Sequence, residues 1–196
     1  MRRRNLQIIL VGAVLMIVGI SVAFAAMSTA LQITTNSVVQ QTNSWNIGFV
    51  TGTVTGTAGG TSATGRSCGN ATVTASSVSV AATNLSKPDD SCTYTLQIKN
   101  NGTIAGTLAN IQPTNPTGTN VTCGTSSGAT MVCGNITYKL TTDAAGSTAL
   151  NTTTNATLSA SATRTIYLVV KFTGTAPTSS QITQSGAKFT LTYNQA

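Results

Sequence analysis

The sequence predicts an all-β domain, a jelly-roll-like β-sandwich of about eight to ten short antiparallel strands, preceded by an N-terminal hydrophobic helix that serves as an export signal. Three observations carry this. From Cys92 to Lys99 the chain alternates without a break, with Cys92, Tyr94, Leu96 and Ile98 on one face and Thr93, Thr95, Gln97 and Lys99 on the other. That is the period-2 pattern of a half-buried strand. Similar alternations recur along the chain, separated by Gly, Asn, Ser and Pro, and no 3.6-residue periodicity appears after the first 25 residues.

The elements follow in order. Residues 1–25 read as a signal peptide: Arg2 to Arg4 give the positive start, Leu6 to Ser21 the apolar run, and Ala23-Phe24-Ala25 the small-x-small cleavage pattern, with the cut after Ala25 or Ala26. An uncleaved membrane anchor is the competing reading, because the apolar run approaches the roughly 20 residues that span a bilayer. Either way the rest of the chain lies outside the cytoplasm. Residues 26–40 form an extended segment begun by Leu31 and Ile33, and residues 41–196 form the sandwich domain.

Within that domain Trp45, Ile47 and Phe49 alternate as a strand, and Gly52 to Gly65 is a wide loop or a weak strand too rich in Gly for a helix. Val73 to Val80 reads as one strand with a bulge where its phase slips. Leu85 to Leu108 reads as an antiparallel hairpin, opened by the turn residues Pro88-Asp89-Asp90 and closed at Asn100-Asn101-Gly102. Pro113 to Thr130 is expected as a long loop, and Ile136, Tyr138 and Leu140 mark another half-buried strand. Asp143 to Thr154 is polar and turn-like. The run from Arg164 to Phe172 is apolar on both faces and should lie centrally, and Phe189, Leu191 and Tyr193 define the last strand.

Composition narrows the chemistry. The chain has no His and no Glu, and its only acidic side chains are Asp89, Asp90 and Asp143. Ser-His-Asp, Cys-His and HExxH sites are therefore excluded, and the adjacent Asp89-Asp90 pair sits in a turn where capping is its ordinary role. The chain reads as a non-enzyme with no cofactor and no metal; a Ca²⁺ site built from Asp89, Asp90 or Asp143 is the minor alternative, since oxygen-rich cages usually need more carboxylates. The formal charge of +7 is misleading, since removing Arg2 to Arg4 leaves seven basic against three acidic side chains. The remaining basic residues are scattered, which argues against a nucleic-acid partner, and membrane contact is confined to the signal segment or to export.

Cys68, Cys92, Cys123 and Cys133 make an even number in an exported chain. Without His or a CxxC spacing, two disulfides are favoured over zinc. Four cysteines allow three connectivities; the short loop between Cys123 and Cys133 suggests a hairpin staple, which leaves Cys68 with Cys92, while one disulfide with two buried thiols is the alternative. Asn70, Asn84, Asn101, Asn120, Asn135, Asn151 and Asn155 each begin an N-x-S/T sequon, a potential glycan cover, although a chain so rich in Ser and Thr produces several of these by chance.

The order of short motifs resembles TasA and camelysin, exported fibre-forming proteins of bacterial biofilms, and the related bundling pili of archaea. The pieces are a signal ending in Ala, SWNIGF at residues 44–49, L-x-x-P-x-D-S at residues 85–91 before a Tyr-containing strand, KNNGTIA at residues 99–105, RTIYLVV at residues 164–170 and a terminal LTYNQ. Asp89 departs from the pattern, standing where the family has Gly; the cysteines and the scarcity of charge are further departures. The resemblance implies a secreted jelly-roll subunit of a cell-surface fibre, partnered with copies of itself by donor-strand complementation. The matching donor is about Ala26 to Val39, with Leu31, Ile33, Val38 and Val39 filling the pocket of the next subunit.

Two physical points lean the same way. Strand addition takes affinity from main-chain hydrogen bonds and specificity from alternate side chains, and the second faces of these strands carry Thr, Ser and Asn rather than the charges that usually protect edges. The N-terminal strand pairing within its own subunit is the plainer alternative. A monomeric secreted or surface-anchored β-sandwich binding module, an adhesin or carbohydrate binder, is the alternative function; it would be expected to expose clustered aromatics, whereas Trp45, Tyr94, Tyr138, Tyr167 and Tyr193 all fall within alternating strands.

Overall fold

The computed structural model describes residues 29–32, 45–60, 67–80, 85, 87–118, 121–154, 156–174 and 184–196. The expected signal segment, cleavage site and N-terminal helix lie outside these residues, as do Ile33, Val38, Val39, Asn84, Asn120 and Asn155. The described chain is all β and contains no helix. Its strands are β1 (Thr29–Gln32), β2 (Ile47–Phe49), β3 (Gly52–Thr55), β4 (Thr57–Gly59), β5 (Asn70–Val73), β6 (Val78–Val80), β7 (Ser91–Asn100), β8 (Gly106–Thr114), β9 (Thr117–Gly118), β10 (Cys123–Ser127), β11 (Thr130–Cys133), β12 (Ile136–Thr141), β13 (Thr157–Leu158), β14 (Thr163–Phe172), β15 (Gln184–Ser185) and β16 (Lys188–Gln195).

Two larger antiparallel sheets organise the fold. One has four strands in the order β1-β16-β8-β13. The other has seven, in the order β10-β11-β12-β14-β7-β2, with β4 also pairing with β7. Smaller ribbons join β15 to β9 and β3 to β5 to β6. Both large sheets feed one buried cluster: Tyr94, Leu96, Ile98, Leu140, Ile166 and Leu168 come from the larger, and Leu108, Ile111, Phe189, Leu191 and Tyr193 from the smaller. Each such side chain withdrawn from water contributes about 1.5–3 kcal/mol against the entropy of ordering the chain.

Strand β14 lies between β12 and β7, matched to β7 from Thr163↔Lys99 to Lys171↔Ser91. Its inner face buries Ile166, Leu168, Val170 and Phe172, while Val169 on the opposite face is also buried. The 143–148 loop explains the second face. The Asp143 carboxylate accepts the N–H groups of Ser147 and Thr148 at 3.0 and 2.6 Å, and Lys139 Nζ donates to the carbonyls of Gly146 and Ser147. A loop so held lies over Val169, close enough that a Cβ on Gly146 would sit 3.3 Å from the valine methyl. The same two N–H groups hold the Asp143 carboxyl below its ordinary value.

Four local expectations are corrected. Leu85 to Leu108 is not a hairpin: β7 belongs to the seven-stranded sheet and β8 to the four-stranded one, so the chain crosses between sheets at residues 100–106. Asn100 is the reason. It is fully buried, and its Nδ2 donates to the carbonyls of Ile104 (2.8 Å), Leu158 (3.2 Å) and Ser159 (3.2 Å), while its Oδ1 accepts Gly102 N–H at 3.0 Å. These bonds fix a corner where a tight hairpin turn would otherwise return β7 on itself. Next, Val73 to Val80 is two strands, β5 and β6, registered Val73↔Val78. The phase slip marks the connecting turn, held by Thr74 N–H to Ser77 O at 2.8 Å and by their hydroxyls at 2.7 Å.

Pro113 to Thr130 is not a long loop: it carries β9 and β10 and begins inside β8, with Pro113 opposite Phe189. The strand count also differs, because the described residues hold sixteen strands, several of only two to four residues. The Gly- and Thr-rich stretches form short ladders that leave little alternation to read.

Cys68 is bonded to Cys92 and Cys123 to Cys133. The second bridge joins β10 to β11 at residues directly opposite each other. Each closes a loop and restricts the unfolded chain, a contribution of about 2–4 kcal/mol.

Asp89 adopts φ +70°, a left-handed conformation that suits Gly and that Asp tolerates better than most residues. Its carboxylate pairs with Lys171 Nζ at 2.8 Å, but both side chains are well exposed, so the pair adds little. Asp89→Val is accordingly expected to cost about 1–2 kcal/mol and Asp89→Gly less than about 0.5 kcal/mol, the lost ion pair and the relieved backbone nearly cancelling. Urea unfolding midpoints of the two variants check this.

Candidate functional site at the edge of the C-terminal strand

The last strand is built by simple alternation. Phe189, Leu191 and Tyr193 are buried, while Lys188, Thr190 and Thr192 are only partly covered. On one side β16 is bonded along its whole length to β8, from Lys188↔Thr114 to Gln195↔Gly106, with a register shift between Thr192 and Tyr193. On its other side lies β1, in the register Thr29↔Tyr193, Ala30↔Thr192, Leu31↔Leu191 and Gln32↔Thr190. The segment Thr29–Gln32 therefore occupies an edge position of the four-stranded sheet.

Of the four residues expected to act as donor side chains, Leu31 alone falls within the described residues, and its register position is opposite the fully buried Leu191. The pairing observed is within one chain. Main-chain bonds to β16 are the shared feature of pairing in the same chain and pairing between copies, so the edge can serve either arrangement. The segment Thr29–Gln32 contains no charged residue. Nothing electrostatic opposes its lying beside the partly covered Thr190 and Thr192.

Behind this edge Leu191 and Tyr193 belong to the buried core. Burial pushes the Tyr193 hydroxyl above its ordinary pKa, with the nearby Arg164 guanidinium pulling the other way. Arg164 in turn donates to Thr157 O at 2.6 Å and Ala156 O at 3.4 Å, which ties β14 to the β13 segment. Elsewhere Tyr138 OH donates to Gln184 Oε1 at 2.9 Å, and Gln184 Nε2 donates to Cys133 O at 2.8 Å. Burial raises Tyr138 to about 12.

The three acids are kept apart in role. Asp89 pairs with Lys171; Asp90 is buried, and its Oδ2 accepts Lys87 N–H at 2.9 Å within the turn; Asp143 caps its own loop. Among the described residues no group of three His, Cys, Asp or Glu side chains comes together. Trp45, Tyr94 and Tyr193 are core residues, whereas Tyr138 and Tyr167 are half-buried. Of the described sequon asparagines, Asn70 and Asn101 are exposed and Asn135 and Asn151 half-buried.

Sequence reasoning did not identify β16 as the partner of the N-terminal segment. Neither TALQ nor LTYNQ carries a pairing signal beyond alternation, because strand pairing is a long-range choice that local pattern does not encode. No protein-family model, curated protein or solved structure matches this chain.

Proposed function

We propose that this protein is an exported structural subunit of an extracellular fibre or pilus of the biofilm-matrix type, a jelly-roll-like sandwich that polymerises by donor-strand complementation. The observation that carries the reading is the position of β1: the first described segment of the chain is an edge strand held beside β16, far from it in sequence, in the four-stranded sheet. Withdrawn from its own subunit, it would leave β16 with an open row of backbone donors and acceptors over the buried Leu191 and Tyr193. A copy of the same segment from a neighbour restores those bonds, and head-to-tail repetition of such a contact generates a filament where its rotation does not close into a ring. Two disulfides suit assembly in an oxidising compartment.

One observation favours the second reading, a monomeric surface or secreted binding module. The segment satisfies β16 within a single chain, so a subunit can close its own edge. Deletion separates the two. Protein beginning at residue 26 is expected to form filaments in electron micrographs and to elute at high mass, whereas protein beginning at residue 40 is expected to stay folded, short of filaments, and to bind a synthetic peptide of residues 26–39. A full-length mature protein that remains monomeric, with a truncated form that merely unfolds, contradicts donor-strand assembly.

A further inference from the structure

Asn151 is half-buried at the head of the exposed stretch 152–154, and its carboxamide oxygen is well supplied with donors. Oδ1 accepts the N–H of Thr153 at 3.0 Å, the Thr153 hydroxyl at 3.1 Å and the N–H of Thr154 at 2.6 Å. Thr152, Thr153 and Thr154 are all exposed. The residues Asn151-Thr152-Thr153 form an N-x-T sequon, so the hydroxyl that defines the sequon is already bonded to the asparagine that would be modified. A carboxamide has one acceptor oxygen and one NH₂ donor group. With three donors on Oδ1, the amide is polarised and its N–H protons are easier to remove.

We propose that Asn151 is an N-linked glycan attachment site, modified by a transferase that uses a lipid-phosphate-linked oligosaccharide. In the transfer, Asn151 Nδ2 gives one proton to a base on the transferase and forms a bond to the anomeric carbon of the sugar. The bond from that carbon to the phosphate oxygen breaks, and the lipid phosphate leaves with the electron pair. Asn135 is the contrasting case. It also begins a sequon and is half-buried like Asn151, but its carboxamide is packed so closely against Gly174 that a Cβ there would overlap it. Asn135 therefore stays unmodified in the folded protein.

The test is mass spectrometry of the protein purified from the cells that make it. Trypsin releases residues 140–164, and fragmentation that preserves the sugar linkage distinguishes Asn151 from Asn155 within that peptide. The expected result is a glycan mass on Asn151 and none on Asn135. In cells expressing Asn151→Gln the intact mass should fall by one glycan; Thr153→Ser should keep the modification and Thr153→Val should lose it. An unmodified 140–164 peptide, sugar on Asn155 alone, or sugar on Asn135 with Asn151 bare overturns the proposal, and the direct localisation does so without any variant having to fold.

Discussion

Asn100→Leu is expected to lower the stability of the domain by about 2–5 kcal/mol, read as a drop in the urea midpoint without a change in slope. Leu is similar in size and would fill the space, so the loss comes from hydrogen bonding. The substitution removes the donor shared by the carbonyls of Ile104, Leu158 and Ser159 and the acceptor of Gly102 N–H. Leaving a buried polar group unpaired costs about 1–3 kcal/mol, and at least the Leu158 carbonyl and the Gly102 amide are enclosed. Against a total stability of about 5–15 kcal/mol for an ordinary domain, that is a large share. Asn100→Asp should be no better, because a carboxylate cannot donate to three carbonyls and would be a buried charge. A loss below about 1 kcal/mol for the leucine variant would mean that the corner is not held by this side chain.

Gly106→Val is expected to cost about 3 kcal/mol or more, and Gly106→Ala about 2 kcal/mol, through overpacking between the sheets. Gly106 opens β8 immediately after the crossover and faces the indole of Trp45 and the side chain of Ile47. A Cβ at this position would lie 2.7 Å from Trp45 Cη2 and would overlap the Ile47 methyl. Both of those side chains are buried and belong to the entry of β2, so neither can swing into solvent. Trimming the obstruction is the control: Ile47→Ala alone should destabilise, but Gly106→Ala on that background should cost clearly less than on the native one. Simple additivity of the two changes would place the conflict elsewhere.

These two positions also show how much of the fold could be read from the chain. The all-β class and the positions of β7, β12, β14 and β16 were legible because alternation there is long and its apolar face is continuous. Asn100 extends the series Cys92, Tyr94, Leu96 and Ile98 by one more step of two, so its burial was written in the phase of the strand. Its polar character and the following Asn-Gly pull toward a turn instead, and a turn after a strand looks the same in sequence whether the chain returns to the same sheet or crosses to another. Gly106 likewise falls in step with Leu108, yet a glycine leaves no apolar mark.

The short strands were hidden for a different reason. β3, β4, β9 and β13 are made of Gly, Thr, Ala, Val and Leu in runs of two to four residues, too brief for a period to declare itself. The candidate edge was partly legible. That the N-terminal segment is an extended strand followed from Leu31 and its neighbours, but its pairing with residues 190–193 depends on the chain's closing the whole domain between them.

In the proposed filament β1 occupies the β16 edge of a neighbouring copy, and a cross-link between two different chains tests this most directly. Ala30 and Thr192 are opposite each other in the β1–β16 ladder, a spacing that suits a disulfide between cysteines placed there. Protein carrying Ala30→Cys alone is mixed with protein carrying Thr192→Cys alone during assembly, oxidised, and separated by mass under denaturing conditions. Donor-strand assembly predicts a covalent heterodimer that joins residue 30 of one chain to residue 192 of the other and appears only when filaments form. If the mixed single variants never cross-link, while a chain carrying both cysteines closes the bond within itself in every state, the strand stays at home and the assembly account is wrong.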